Sequence, residues 1–503
     1  LPERDHHELA LQLLLGPALI LTRGWASVEA EQAYIRARVL GQRLKENRQL
    51  SLALYGLATL RELRGEYAKS QVLLEERLRL PDDLQDQRSR VESYELLACS
   101  MFHQGAFVQA LNHADQALTL CQPGAAESLT PLLGEDPAVS SYHWAGLSLW
   151  FLGYPDQAVA RSQKALNQTK DLVYTFSLAH AQQQAAMIHH LRREAQAVEE
   201  RAENTIEAAV KSGFAYWVGV GKILRGWAIT HQHQPEPGLA MINQGLEICQ
   251  ATGATIDHPY FLSILAEACG HAGKYEAGLT ALAEALQLAR RSRNFFYQAE
   301  LHRLHGELLW QANPGSNAIE AEADFQRALA VAREQQARSL ELRAVVSLSR
   351  LWQQQGKVNE ARALLAETYD WFSEGFETID LQEAAALLEA LGVDVPPVTA
   401  ARPVIQRFIP EQLIATGGMG EVYRGRDLQS NRPVAIKRLK PELAAQNPEA
   451  IQRLIREGEI LGQLNHPNIV KILASYEQDQ QPVIVMEYIS GGTLSDLLKR
   501  EGQ

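Results

Sequence analysis

Cysteine is scarce and scattered in this chain. Only Cys99, Cys121, Cys249 and Cys269 occur among 503 residues, and no two have Cys-x-x-Cys spacing. Neither a zinc module nor a disulfide framework is indicated, and a reducing, cytoplasmic compartment fits best. Long hydrophobic runs are also missing. The apolar stretch Leu9–Leu21 is interrupted by Gly16-Pro17 and is too short to span a bilayer. The opening Leu-Pro-Glu-Arg-Asp-His-His-Glu has neither the basic segment nor the small-residue cleavage site of a signal peptide, and no initiator Met, as in a fragment or processed product. There is no excess of positive charge: 48 Lys and Arg against 60 Asp and Glu leave a net charge of −12. Nucleic acid and acidic membrane surfaces are therefore poor default partners. No Gly-x-x-x-x-Gly-Lys-Ser/Thr phosphate loop occurs.

What is present is an ordinary soluble composition, 46% apolar and 21% charged, which excludes disordered and collagen-like chains. The length corresponds to roughly three domains. Residues 1–395 read as a helical array rich in Ala, Leu, Gln, Glu and Arg. Short joints recur at Gly65-Glu66-Tyr67-Ala68, Gly105-Ala106-Phe107, Gly153-Tyr154-Pro155, Gly273-Lys274-Tyr275-Glu276-Ala277 and Gly356-Lys357-Val358. Degenerate joints fall at Arg193-Glu194-Ala195 and Gln234-Pro235-Glu236, so that most markers lie about 40 residues apart. Each unit should pair two helices, with a small residue after the turn (Ala110, Ala158, Ala277, Ala361) where they pack closely. The pattern predicts a mostly α protein: a right-handed tetratricopeptide-like α-solenoid of about eight or nine helical hairpins. All eight Trp fall in this part, and their helical spacing suits core wedges better than ligand cages. The histidine clusters His6-His7, His189-His190, His231/His233 and His302/His305 show no carboxylate or Cys at ligand spacing. They read as solvated or structural, and no metal site is expected.

The stretches Glu300–Leu309, Ser339–Leu348 and Ala361–Phe376 resemble the helical-repeat region of large bacterial signalling proteins. There the repeats follow a STAND-type ATPase module, often fused to nucleotide cyclases or kinases. The resemblance implies a sensory or scaffolding array that binds protein or peptide partners.

Prolines in Val393–Pro403 break the helical pattern, and residues 396–408 read as a linker. From about residue 409 the period changes. Short β-branched runs at Val422-Tyr423, Val434–Ile436, Ile469–Leu473 and Val483–Met486 alternate with turns. One helix interrupts them, with Asn447 at the N-cap, Pro448 at the first position, and Ile451, Leu454, Ile455, Leu461 and Leu464 on its apolar stripe. Ala415-Thr416-Gly417-Gly418-Met419-Gly420-Glu421-Val422 is a glycine-rich turn whose backbone N–H groups can approach phosphate oxygens. Lys437 follows an apolar strand. Glu457 borders the helical stripe, where an acid needs a cationic partner, and Lys437 is the obvious one.

Together these signals, with His466-Pro467-Asn468 and Met486-Glu487-Tyr488, resemble the N-terminal lobe of a bacterial Ser/Thr protein kinase over residues 409–503. The resemblance implies a small α+β lobe, a five-stranded antiparallel sheet plus one helix, that binds ATP, with Mg in the complete kinase. By that resemblance Gly417, Gly418 and Gly420 cover the phosphates. Lys437 contacts them and is held by Glu457, while Ile414, Val422 and Ala435 enclose the adenine. Met486 is the gatekeeper, Glu487 and Ile489 are hinge contacts, and Leu461 and Ile472 belong to the spine. Ala415 departs from the family, standing where the first loop glycine is usual. His-Arg-Asp, Asp-Phe-Gly and Ala-Pro-Glu motifs do not occur in the chain. Three readings follow: part of a bacterial Ser/Thr kinase acting on protein hydroxyls; a non-catalytic repeat scaffold; or part of an ATPase- or cyclase-linked regulator.

Overall fold

The computed structural model describes residues 2–23, 27–81, 87–121, 136–169, 175–393, 395, 408–416, 420–427, 432–439, 470, 472–478 and 481–489. The chain divides into two compact units, Leu1–Val395 and Pro396–Gln503. The described residues of the first form helices and their turns. It begins with α1 (Pro2–Arg23), α2 (Val28–Leu44), α3 (Asn47–Leu63), α4 (Tyr67–Leu78), α5 (Gln87–His103) and α6 (Phe107–Leu120). It continues with α7 (Pro137–Phe151), α8 (Pro155–Gln168), α9 (Thr175–Leu191), α10 (Ala195–Ser212), α11 (Ala215–His231) and α12 (Pro235–Ala251). The rest are α13 (His258–His271), α14 (Tyr275–Ser292), α15 (Gln298–Ala312), α16 (Pro314–Glu334), α17 (Arg338–Gln354), α18 (Val358–Asp370) and α19 (Ile379–Ala390). Among the described residues these make nine helical pairs and a closing helix. No helix of the described residues is long and apolar enough to cross a membrane.

One backbone device builds the joints within pairs. Gly65, Gly105, Gly153, Gly273 and Gly356 all have left-handed φ, between +69° and +95°. Arg193 and His233 take the same conformation at the degenerate joints, with φ of 64° and 65°. The next residue's N–H reaches back five residues, as from Ala106 to Met101 O at 2.9 Å and from Lys274 to Cys269 O at 2.8 Å. That bond satisfies a carbonyl the helix end would leave open. The same residue's carbonyl then accepts the first bond of the following helix, as Ala106 O does from Ala110 N at 2.9 Å.

The residue five positions after the left-handed one meets the partner helix. Ser70, Ala110, Ala158, Val198, Gly238, Gly278 and Ala361 are all buried there. The joint pattern puts Ala277 at this close approach, but Ala277 is exposed and Gly278 takes the place. One helical residue is a rotation of about 100°, enough to turn Ala277 off the contact. A methyl added at Gly278 would meet Leu308 and the Ala266 carbonyl.

The array also winds back on itself. Thr255 N donates to Leu63 O at 3.2 Å, and Phe295 N donates to His103 O at 2.7 Å. Ser339 Oγ donates to Trp150 O at 2.5 Å across 189 residues of sequence. Arg343 donates to Leu191 O, and Glu374 Oε1 accepts from Asp156 N at 2.9 Å. One circuit thus takes close to five 40-residue units before joints meet those of the next circuit. Phe102, Phe151 and Phe296 pack together across that meeting, with Phe102 and Phe296 centroids 4.9 Å apart. Trp150 and Trp227 are buried core wedges as expected, whereas Trp217, Trp310, Trp352 and Trp371 are only half-buried.

The second unit contains β1 (Phe408–Thr416), β2 (Gly420–Asp427), β3 (Arg432–Leu439), β4 (Ile472–Gln478) and β5 (Gln481–Glu487). They form one sheet in the order β1-β2-β3-β5-β4, with every neighbouring pair antiparallel. The β-branched run begins at Ile469, but the fourth strand spans Ile472–Gln478. The β4–β5 register, Gln478 opposite Gln481 across a two-residue connection, carries pairing beyond the apolar run into polar residues. The expected helix with Asn447, Pro448, Glu457 and Leu461, the His466-Pro467-Asn468 segment and most of the linker lie outside the described residues.

Candidate functional site

In an antiparallel sheet, residues directly opposite each other share a face and successive residues alternate. Ile436 pairs with Tyr423 and Val485, and Arg438 with Val483. This face carries the buried cluster Val434, Ile436, Val483 and Val485, with Tyr423 packed against it. The opposite face is formed by the alternate residues. Val422 faces Ala415 and Lys437, Lys437 faces Ile484, and Ala435 faces Arg424 and Met486. Val422, Lys437, Ile484 and Met486 are half-buried there, and Ala435 is buried.

The candidate residues divide on this basis. Ala415, Val422, Ala435, Lys437 and Met486 come from β1, β2, β3 and β5 and line one face. Ile414 is the extra residue of a bulge between Leu413, opposite Tyr423, and Ala415, opposite Val422; it is half exposed at 45%. Glu487 ends β5 opposite Val434 on the other face, and Ile489 lies just past the strand, exposed. A hinge role for either would use backbone groups, which the face does not govern. Ile472 pairs with Met486. Gly420 opens β2 opposite Leu439, while Gly417, Gly418 and Glu457 lie outside the described residues. Arg424 sits over the Tyr488 ring at 5.4 Å, a cationic contact sequence reading did not single out.

The helical unit gathers its own polar groups. The histidine clusters suggest no carboxylate partner from sequence spacing, but the following joint or helix of the same hairpin supplies one. His305 Nδ1 lies 2.6 Å from Asp324 Oδ2, and His189 Nδ1 lies 2.5 Å from Glu194 Oε2. His231, Glu267 and His271 have donor atoms within 4.8 Å of one another, as do Glu62, Cys99 and His103. In the first trio His231 Nδ1 lies 3.0 Å from Trp227 O and its Nε2 lies 3.3 Å from Glu267 Oε1. Burial opposes charge on both groups, yet their mutual contact prevails: His231 is raised and Glu267 held well below the usual carboxylate range. The two groups form a close histidine–carboxylate contact. In the second trio His103 Nδ1 lies 2.9 Å from Cys99 O, so that nitrogen serves as a donor to backbone. Two members of each trio lie four residues apart on one helix, Glu267 and His271 on α13 and Cys99 and His103 on α5. The third comes from the preceding hairpin, so no sequence window shows the whole trio.

Comparison with known proteins agrees with the sheet. Residues 408–503 match the protein kinase domain family. The probable serine/threonine-protein kinase CPE1738 of Clostridium perfringens is 41% identical over 91 residues, 18% of this chain and 13% of that protein. Serine/threonine-protein kinase PknB of Mycobacterium tuberculosis (strain H37Rv) is 37% identical over 109 residues, 21% of this chain and 17% of that protein. A longer match, 27% identical over 227 residues, covers 45% of this chain and 22% of the uncharacterized protein R02095 of Rhizobium meliloti. The chain thus spans between about an eighth and about a fifth of the length of these relatives. Its C-terminal end is a protein kinase domain match, similar to bacterial serine/threonine kinases, behind a long helical unit.

Proposed function

We propose that residues 409–503 are the ATP-binding N-terminal lobe of a bacterial serine/threonine protein kinase. Residues 1–395 would be a tetratricopeptide-like array that senses a signal or recruits a partner, joined by the linker 396–408. The observation that carries the kinase reading is the shared, half-open face of Ala415, Val422, Ala435, Lys437 and Met486. Lys437 stands opposite Val422, which lies two residues after Gly420, on the strand that leaves the glycine-rich turn. An ammonium beside backbone N–H groups suits phosphate oxygens. Ala435 leaves room for a flat base between Val422 and Met486, and the β5 end offers backbone groups at Glu487 and Ile489 for its edge. Glu457 would hold Lys437, and ATP with Mg would supply the phosphoryl group for protein Ser/Thr hydroxyls.

Titrating the full chain with a fluorescent ATP analogue and with adenosine tests this assignment. Lys437→Met should weaken ATP binding about tenfold or more, the worth of a charged hydrogen bond, and leave adenosine nearly unchanged. No binding of either ligand by the unaltered chain, or equal losses for both in the variant, would refute it.

A further inference from the structure

Helices α1, α3, α5, α7 and α9, with the turns before α11 and α13, surround a cavity of about 690 Å³. That size is typical of small-molecule sites. Tyr55, Trp144, Tyr216 and Trp217 supply aromatic wall. The charged lining is chiefly acidic: Glu62, Glu92, Glu95 and Asp257. Glu92 is neutralised by Arg88 at 2.6 Å and by Arg77 at 2.7 Å. Glu95 accepts from Trp144 Nε1 at 2.9 Å, and Asp257 accepts from the Tyr216 hydroxyl at 3.0 Å.

Glu62 differs from the other three. It is 1% exposed, and its Oε2 accepts from Ser100 Oγ at 2.6 Å, while Oε1 has no hydrogen-bond partner. The nearby Ser70 hydroxyl donates to Ala58 O instead. Burial pushes Glu62 up to about 7. His143 also lines the cavity with an unpartnered Nδ1, and burial, followed by the proximity of His180 and His103, keeps its ring neutral. The histidine therefore adds no positive charge to the lumen.

We propose that this cavity binds an organic cation, with an ammonium or amidinium head on Glu62 and an apolar body against Trp144 and Trp217. The inference stands on the helical unit alone and goes beyond the kinase reading. A cation supplies the missing donor to Oε1 and is attracted by the aromatic faces. A neutral alcohol could supply the hydrogen bond only, and an anion would meet the carboxylates.

Calorimetric titration of the full chain near pH 8, where Glu62 is ionised, with 4-phenylbutylammonium, 4-phenylbutanol and 4-phenylbutanoate tests it. The expected order is ammonium about tenfold tighter than alcohol, with no binding of the carboxylate. Glu62→Gln should bring the ammonium affinity down to that of the alcohol, while Trp217→Leu should weaken both alike. Should Glu62→Gln fail to fold by circular dichroism, the order in the unaltered chain decides. Equal affinities, a preference for the carboxylate, or no binding of any probe would overturn the proposal.

Discussion

At the scale of single residues, Glu62 makes the most testable statement about the helical unit. Burial raises its carboxyl from an ordinary 4.5 to about 7, against the opposing hydrogen bond from Ser100 and the charge of nearby His103. The folded chain then keeps a proton that the unfolded chain releases above pH 4.5. Stability from this group is present below that pH, falls as pH rises to about 7, and is level beyond. Linkage puts the loss at about 3 kcal/mol. Glu62→Gln should therefore match the unaltered chain in urea melts near pH 4.5 and exceed it by about 3 kcal/mol near pH 8. An equal difference at both pH values would contradict the assignment. Nothing in the sequence around Leu60-Arg61-Glu62-Leu63 marks this glutamate. Its position on the inward side of α3 is a matter of helical phase, but its isolation depends on what α5 and α7 place opposite.

At the scale of the helical pair, more is legible in the sequence. The left-handed joints at Gly65, Gly105, Gly153, Gly273 and Gly356 were legible because glycine is the residue that adopts that φ without strain. The degenerate joints were legible only by their spacing, since Arg193 and His233 hold the same backbone without glycine's licence. The joints separate two glycine roles. A Cβ on Gly356 would meet open space, whereas one on Gly153 would run into Trp371 and the Arg338 side chain. Gly356→Ala should cost about 1 kcal/mol, from backbone strain alone. Gly153→Ala should cost at least about 2 kcal/mol, adding overpacking of about 1–3 kcal/mol. Denaturant midpoints of the two variants check the difference, and equal costs would remove the distinction. In the sheet, alternation likewise made the face of Lys437 readable once β2 and β3 were paired. The bulge that sets Ile414 apart was not, because bulges answer to neighbouring strands rather than to the strand's own pattern.

At the scale of the whole helical unit, the contacts between successive circuits modify the usual behaviour of repeat arrays. In a stack where each unit touches only its neighbours, removing terminal units lowers stability step by step. Here Phe102 and Phe151 lean on Phe296 from the next circuit, and Arg343 ties Leu191 O to Glu300 and Asp380. A chain ending at residue 395 should stay soluble and keep its helical signal, because the first unit contains its own core. A chain ending at residue 253 should melt well below a proportionate drop, since it uncovers the Phe102–Phe151 surface. Circular-dichroism melts of the two truncations measure this. A strictly proportionate loss would mean that the circuits merely touch.

The sequence by itself determined the local conformations: helices from their 3.6-residue period, joints from glycine, strands from β-branched alternation, and a kinase-like segment from motif spacing. These depend on residues within one or two turns of chain, where backbone geometry and side-chain preference act directly. Only the tertiary structure decided what would surround Glu62, that Glu267 would reach His231, and where Gly278 rather than Ala277 would meet its partner. Those outcomes depend on desolvation and on contacts between elements far apart in the chain, which in this unit meet across as many as 227 residues. Burial and close packing are properties of the assembled surfaces, and no window of the sequence contains both sides of such a surface.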